Sequence, residues 1–374
     1  MNRRCPTCLA GQFPMIGFLT HQALLWSVLT MFFLWGSFIS VVEACQICIP
    51  YPDITLADRL LQGKTVIMAR EKIDKPYTFY SVEVLKGTIE KSDFDAFINT
   101  TARRMLKQNP DDVVVFRQQD GKAEWLYTAY ADIEYQRFIC AILEQSSRWN
   151  EFGGNRNRID FFAERLNHKD QQIWEQAYLE IGRAPYASIK RIAGTVPRRQ
   201  IREFLAQFRL VEWHSLYILM LGQSRHPDDV AYIRNTLTAK AAYGMNRNLA
   251  AWVPAFIETN PDTGVEEIEK LYFSNKSRTP DEIKAVCQGL SVLGSEGGSR
   301  NASQLIARRQ RIVSSYGTLL ENHPLMAGPV AKDLISWRER ALVEQLTEIK
   351  ENDPGLDPDA KMAVTYYLLM SQRF

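Results

Sequence analysis

Cysteine has the widest chemical repertoire of the residues in this chain, yet its spacing builds no reactive site. The six cysteines are Cys5, Cys8, Cys45, Cys48, Cys140 and Cys287. Neither Cys-x-x-Cys pair is followed by His, which excludes haem c attachment. The second pair runs into Ile-Pro-Tyr-Pro, which favours extended chain, whereas a thioredoxin-like redox pair opens a helix. A zinc site is disfavoured because Cys140 and Cys287 stand alone, so we interpret the cysteines as structural.

The histidines are as scattered as the cysteines. They are His21, His168, His214, His226 and His323. His214 lies on an apolar helical stretch beside Trp213, where a position in the core or in a groove is favoured over a metal ligand or a base. The chain has no Gly-x-Ser-x-Gly elbow, no His-Glu-x-x-His motif and no phosphate-binding loop. We therefore predict no catalytic residue, no cofactor and no metal site.

Basic and aromatic residues near the middle of the chain form the best candidate for an interaction surface. Arg198, Arg199 and Arg202 open one predicted helix, and Trp213 and His214 lie on the next. The cations favour an anionic partner, either an acidic protein or a headgroup surface. The alternative is a solvated face whose charges are balanced locally.

Tryptophan recurs once per predicted repeat, as Trp174, Trp213 and Trp252, at intervals of 39 residues. Such repetition indicates a shared core position, so packing is the first interpretation. If some of these side chains are exposed, they would instead anchor a partner. Sequence alone leaves both interpretations open.

The elements that must position these residues follow a segment that has the pattern of an export signal. Residues 23–42 are nearly all apolar, and Arg3 and Arg4 precede them. Three outcomes stay open: cleavage after Ala44, retention as a membrane anchor, or acylation of Cys45, whose preceding residues resemble a bacterial lipobox. Each outcome places the rest of the chain outside the cytoplasm, as a periplasmic, envelope-anchored or secreted protein.

Length and composition set the protein class. The chain has 374 residues, 46% of them hydrophobic and 24% charged, which excludes disordered, collagen-like and disulfide-scaffold proteins. Lys and Arg total 45 and Asp and Glu total 43, and a net charge of +2 provides no field that would select nucleic acid. The length suits two domains, or one domain and a repeat array.

Short strands rich in β-branched and aromatic residues are predicted in the first third of the chain. They cover the runs 64–69, 77–85, 112–117 and 124–130. Asp120-Gly121, between the last two runs, is the strongest hairpin signal in the sequence. With a helix over 56–61 in front and another helix behind, the pattern predicts a small β-barrel or sandwich over 45–147.

The order of features in this region carries a family resemblance. A Cys-x-x-Cys at 45–48, the short helix at 56–61, a strand and the sequence Val-Glu-Val-Leu-Lys-Gly at 82–87 resemble the netrin-like, OB-type barrels of exported bacterial proteins. The resemblance extends more distantly to tissue inhibitors of metalloproteases. That family usually opens with Cys-x-Cys, so protease inhibition is not implied for this chain.

In an oxidising compartment the cysteines of this domain are candidates for a disulfide. The first and last elements of a small barrel are commonly adjacent, so we expect Cys45 or Cys48 to pair with Cys140. Acylation of Cys45 would leave Cys48 as the sole candidate. Cys287 lies in an apolar helical stretch, and we expect it to be buried and free.

Helical spacing replaces the strand pattern after a polar, glycine-bearing stretch at 148–158. An aliphatic residue followed by Gly then recurs at Ile181-Gly182, Leu221-Gly222 and Leu293-Gly294, and Ile257-Glu258 stands in the expected place with its Gly replaced. Intervals of about 36 to 40 residues are those of two-helix repeats. The region 159–374 therefore resembles the HEAT family of α-solenoids. An irregular helical bundle is the alternative.

These patterns predict a multidomain α+β protein. Its parts are a targeting segment at 1–44, a small β-rich domain at 45–147, a linker at 148–158 and HEAT-like repeats at 159–374. We expect a non-enzymatic binding protein whose repeat surface recognises another protein, with membrane contact only through a retained or lipidated N-terminal segment and none with nucleic acid. The alternatives are an envelope enzyme with a site between the β-domain and the first repeats, and a structural envelope protein.

Overall fold

The described part of the chain belongs to one compact unit, Glu43–Phe374. The computed structural model describes residue 47 and the ranges 54–149, 154–295, 302–353 and 355–374. The predicted targeting segment, Cys45 and Cys48 lie outside the described residues, so they stay predictions. Within the described ranges, no helix is both long enough and apolar enough to cross a membrane.

Five antiparallel strands form one sheet in the order β3-β2-β1-β4-β5. The strands are β1 (Thr65–Glu71), β2 (Thr78–Lys86), β3 (Asp93–Asp95), β4 (Val113–Gln118) and β5 (Leu126–Ala131). Strands β4 and β5 form the predicted hairpin around Asp120-Gly121. Gly121 adopts a φ of +72°, a left-handed conformation that glycine reaches without steric cost.

The sheet is open, with β3 and β5 at its edges, whereas the strand pattern predicted a barrel or a sandwich. Helices cover both of its faces, so it neither needs a second sheet nor has to close on itself. Helix α2 (Thr100–Gln108) packs on the face that carries Ile67 and Phe116. Helices α1 (Leu56–Gln62) and α3 (Ile133–Trp149) pack on the opposite face. The prediction of an α+β chain, with a sheet followed by helices, is confirmed.

Thirteen further α-helices follow α3 in the described residues. They are α4 (Gly154–Ala163), α5 (Gln171–Gly182), α6 (Tyr186–Ile192), α7 (Arg198–Leu205), α8 (His214–Leu221), α9 (Pro227–Tyr243), α10 (Leu249–Thr259), α11 (Gly264–Ile268), α12 (Pro280–Ser295), α13 (Ala302–Asn322), α14 (Ala327–Trp337), α15 (Val343–Asn352) and α16 (Pro358–Met370). A 3₁₀ segment, Phe208–Trp213, joins α7 to α8, and a π-helical turn, Glu269–Phe273, extends α11.

Six helices stack on one another to form one layer of this region. In that layer α5, α8, α10, α12, α14 and α16 pack in succession, and the intervening helices pack against this layer. Each unit therefore rests mainly on its neighbours in the chain, which is compatible with a helical-repeat protein. The spacing of the aliphatic–Gly pairs along the sequence is compatible with this succession.

Glycine lets consecutive helices of this layer approach closely. A Cβ atom on Gly222 would lie 2.6 Å from the Cα of Ala255 on α10, and a Cβ on Gly289 would lie 2.8 Å from the carbonyl oxygen of Ala250. Similar contacts join Gly294 to Trp337 and Gly328 to Ala360. Of the recurring glycines, Gly222 and Gly294 thus stand both at or next to the end of a helix and at a close contact with another helix.

A continuous apolar core connects the sheet to the helices. The face of the sheet that packs on α1 and α3 belongs to the same cluster of buried residues as the helices up to α16. Aromatic side chains carry this core from α3 to α4, because the ring centroid of Phe138 lies 6.2 Å from those of both Phe161 and Phe162. The boundaries predicted for two separate domains remain a prediction.

Candidate binding groove

A cavity of about 500 Å³ opens between two neighbouring repeats. Its walls come from the end of α7, the 3₁₀ segment, the second half of α9, the loop after it and the start of α10. We call it the repeat groove and define it by Phe208, His214, Lys240, Met245, Arg247 and Trp252. Outside the groove, long side chains bridge α7 and α9, because Arg198 and Arg202 both pair with Asp229 near the start of α9.

The loop between α9 and α10 is held in place by two left-handed residues and one amide side chain. Gly244 ends α9 with a φ of +63°, and Asn248 precedes α10 with a φ of +55°. The side-chain amide of Asn248 donates to the carbonyl oxygen of Val211 at 2.9 Å. This bond fixes the loop against the 3₁₀ segment, so it joins the two sides of the groove.

Apolar side chains lie at the base of the groove and at its opening. Trp252 is buried, and its ring centroid lies 5.7 Å from that of Tyr232 on α9. Phe208 and Met245 line the opening and are 81% and 43% exposed. Large apolar side chains held in water beside a cavity are typical of a surface that binds another molecule.

Lys240 places a cation inside the groove. The residue is only 9% exposed, and its Nζ donates to the carbonyl oxygen of Arg247 at 2.7 Å. Across the described ranges, no carboxylate forms an ion pair with Lys240. Burial lowers the pKa of Lys240, and the nearby charge of Arg247 lowers it further. Arg247 itself pairs with Glu212 at the rim.

His214 lines the groove but is committed to the fold. Its Nε2 donates to the carbonyl oxygen of Gln207 at 3.2 Å, which holds the 3₁₀ segment onto the start of α8. Burial lowers the pKa of His214, so its imidazole is neutral near pH 7. The sequence-based interpretation of a core or groove histidine agrees with this position.

The three candidate arginines of α7 have different surroundings. Arg198 and Arg202 share the buried carboxylate of Asp229 on α9, with N–O distances of 3.1 and 3.5 Å. The guanidinium of Arg202 also lies 3.6 Å from the ring centroid of Tyr232. Arg199 is exposed and pairs with Glu203 in its own helix. Two of the three arginines therefore bridge repeats, and Arg199 faces solvent.

The repeated tryptophans pack against other aromatic side chains. The ring centroid of Trp213 lies 5.1 Å from that of Trp174 and 5.0 Å from that of Tyr178, both with edge-to-face geometry. Trp252 also lines the groove. The packing interpretation thus accounts for Trp213, while Phe208 presents the exposed ring that sequence analysis did not single out.

A cluster of ion pairs joins the sheet region to the first repeat. Arg158 on α4 contacts Asp58 on α1 at 2.7 Å and Glu180 on α5 at 2.9 Å, and Arg183 contacts Asp58 at 2.7 Å. Thr55 donates to Glu180. Burial would raise the pKa of Asp58, but the hydrogen bonds from Arg183 and Arg158 outweigh it and hold that pKa well below its usual range. Such a permanently ionised carboxylate suits attachment rather than proton transfer.

Cysteines and metal ligands add no further site in the described part of the chain. Cys287 is buried and free, as expected, and burial raises the pKa of its thiol. Cys140 is also unbridged among the residues described, while its predicted partners lie outside them. No group of three His, Cys, Asp or Glu side chains in the described ranges is arranged to hold a metal ion.

Comparison with known proteins gives no relative from which to infer a function. No family model matches the chain, and no curated protein and no solved structure matches it either. The groove is therefore the feature from which a function is inferred.

Proposed function

We propose that this chain is an exported or membrane-anchored binding protein whose HEAT-type array recognises another protein through the repeat groove. One observation carries the proposal: a cavity at the junction of two repeats combines a buried cation, Lys240, with the exposed apolar rim of Phe208 and Met245. A protein partner can fill the cavity with one side chain and cover the rim with its neighbours.

The composition of the groove supports a protein partner. Interfaces between proteins are enriched in aromatic residues, Met and Arg, and a few buried anchors supply most of the binding energy. Trp252, Phe208, Met245 and Arg247 are residues of these types. Phe208 extends so far into solvent that only a molecule larger than the cavity would bury its ring.

The proposed location rests on the N-terminal sequence. The apolar run at 23–42, the preceding Arg3 and Arg4, and the small residue Ala44 support export followed by cleavage, anchoring or lipidation. A tether of that kind would hold the array at a membrane surface, where it could meet envelope proteins.

Photo-cross-linking in the native cells tests this proposal. With p-benzoyl-phenylalanine at position 208, we expect a discrete protein adduct, because this ring would lie against the partner. Position 366 on α16 provides the control, since Tyr366 is 53% exposed but lies in a different helix pair. Absence of an adduct at 208, or the same adducts at both positions, would contradict recognition through the groove. Fractionation of the same cells tests location, because an intact chain in the cytosol would contradict export.

A further inference from the structure

We infer that the repeat groove binds an acidic peptide segment of its partner, one in which a carboxylate adjoins a large apolar side chain. This inference rests on the proposed function and names the chemistry that the groove recognises. It follows from the unpaired charge inside the cavity, from the charge around it and from the shape of its apolar walls.

Lys240 is a buried cation without a carboxylate partner in the described ranges. A buried ammonium group is costly unless a partner compensates its charge, and a lysine has three donors to satisfy. The carbonyl oxygen of Arg247 accepts one of these hydrogen bonds and carries no net charge. In the described ranges no carboxylate pairs with Lys240, so a carboxylate that enters the groove would provide the missing counter-ion.

Cations outnumber carboxylates in the segments that border the groove. Along α7, the 3₁₀ segment, α9 and the loop after it, the cations are Arg198, Arg199, Arg202, Arg209, Arg234, Lys240 and Arg247. The carboxylates of the same segments are Glu203, Glu212, Asp228 and Asp229. Seven cations against four carboxylates leave this face positive, although the whole chain is close to neutral. An acidic segment is therefore attracted to this face.

The apolar residues of the groove account for the large apolar side chain of the proposed peptide. Leu205, Met245 and Trp252 line the cavity together with Phe208. Its volume, about 500 Å³, lies in the range of small-ligand pockets and accommodates an apolar side chain with a carboxylate beside it. The exposed ring of Phe208 continues the apolar surface beyond the cavity, which favours a peptide over a small free acid.

Three labelled peptides test the inference by fluorescence anisotropy with the full chain in mild detergent. The first is the amidated hexapeptide Gly-Ser-Glu-Phe-Gly-Ser; the second has Gln in place of Glu, and the third has Ala in place of Phe. We expect the first peptide to bind at least about tenfold more tightly than either analogue. Equal binding of the Glu and Gln peptides, or no binding at about 1 mM, would overturn the inference.

Variants of the protein assign the effect to the groove. Lys240→Met should abolish the preference for Glu over Gln and retain the preference for Phe over Ala, whereas Lys332→Met, at an exposed position on α14, should change neither. Phe208→Ala alters only an exposed ring, so it tests the apolar contact even if the Lys240 variant fails to fold, and it should weaken the Phe preference. A Glu preference that survives in a folded Lys240→Met protein would refute the assignment.

Together, the peptide and cross-linking experiments distinguish failure of the acidic-peptide inference from failure of the proposed function. A partner cross-linked at position 208, with no discrimination among the peptides, would overturn this inference and leave protein recognition standing. Absence of any partner at position 208 would overturn the proposed function itself.

Discussion

The carboxylate of Asp58 pairs with Arg158 on α4 and with Arg183 just after α5, and this arrangement has a consequence for acid stability. Its pKa is lower in the folded chain than the ordinary value of 3.8, so the unfolded chain binds the proton more readily. The ion pairs therefore stabilise the fold fully above that ordinary value. Their contribution is lost as pH falls through it towards the folded pKa.

Asp58→Asn should lower the free energy of unfolding at pH 7 by about 3 kcal/mol, because Arg158 and Arg183 lose a largely buried partner. Urea unfolding at a series of pH values measures the effect. The difference from the wild type should shrink as pH falls below 3.8, where Asp58 of the unfolded wild-type chain becomes protonated.

Asp262→Asn is the matched control for this experiment, since Asp262 is exposed and its carboxylate is in no ion pair of the described structure. The control should retain wild-type stability. Equal losses in the two variants, or a loss that does not depend on pH, would contradict the assignment of the effect to the ion-pair cluster.

The residues of the groove show how much of the candidate site could be predicted from the sequence. His214 and Trp213 could be singled out because aromatic residues and a histidine on an apolar helix stand out in any sequence. Lys240 and Phe208 could not, because a lysine on a helix and a phenylalanine near arginine are ordinary locally. Their roles arise only when α7 and α9 come to lie side by side, a contact between segments more than 20 residues apart.

At the scale of elements, two glycines inside helices have opposite surroundings. A Cβ on Gly289 of α12 would lie 2.8 Å from the carbonyl oxygen of Ala250 and 2.9 Å from the Cβ of Val253. A Cβ on Gly317 of α13 would meet nothing closer than 3.7 Å. Helix propensity favours alanine equally at both sites, so packing alone distinguishes them.

Gly289→Ala should therefore destabilise the protein by about 1–2 kcal/mol, since the cost of overpacking, roughly 1–3 kcal/mol, exceeds the propensity gain. Gly317→Ala should stabilise it by up to about 1 kcal/mol for the propensity gain alone. Thermal and urea unfolding of both variants give the comparison. A stabilised Gly289→Ala protein would show that α10 and α12 are not in close backbone contact.

Elements set by local signals were predictable, and those set by distant packing were not. The β4–β5 hairpin and helix α1 follow from turn and capping residues, and both lie within two residues of their predicted bounds. Helix α2 was missed, although Asn99 caps it by accepting from the backbone of Ala102. Because α2 covers one face of the sheet, its omission explains why a barrel or sandwich was expected instead of an open sheet.

For the whole molecule, the shared core makes the sheet and the first repeats depend on each other. Phe138 of α3 is buried and contacts the aromatic rings of α4, while α3 itself covers a face of the sheet. An array with purely nearest-neighbour contacts could unfold from one end. Here, loss of α3 would uncover both a face of the sheet and the aromatic rings of α4.

Phe138→Ala should cost about 3–5 kcal/mol, the range for truncating a buried phenylalanine. Hydrogen exchange with mass spectrometry across a urea series should show peptides of β4 and of α5 losing protection at the same, lowered concentration. Phe208→Ala should leave both within about 0.5 kcal/mol of the wild type, because the ring is exposed. A lowered midpoint in only one of the two peptides would contradict coupling through α3.

The stacked helices and the helices packed against them are joined in different ways. After α8, Gly222 meets the backbone of Ala255 on α10, whereas the side chains of Arg198 and Arg202 on α7 span the distance to Asp229 on α9. Two repeats joined in this way would pivot at the glycine contact. A peptide bound as proposed would push α7 and α9 apart, and binding at one junction would then change the angle along the array.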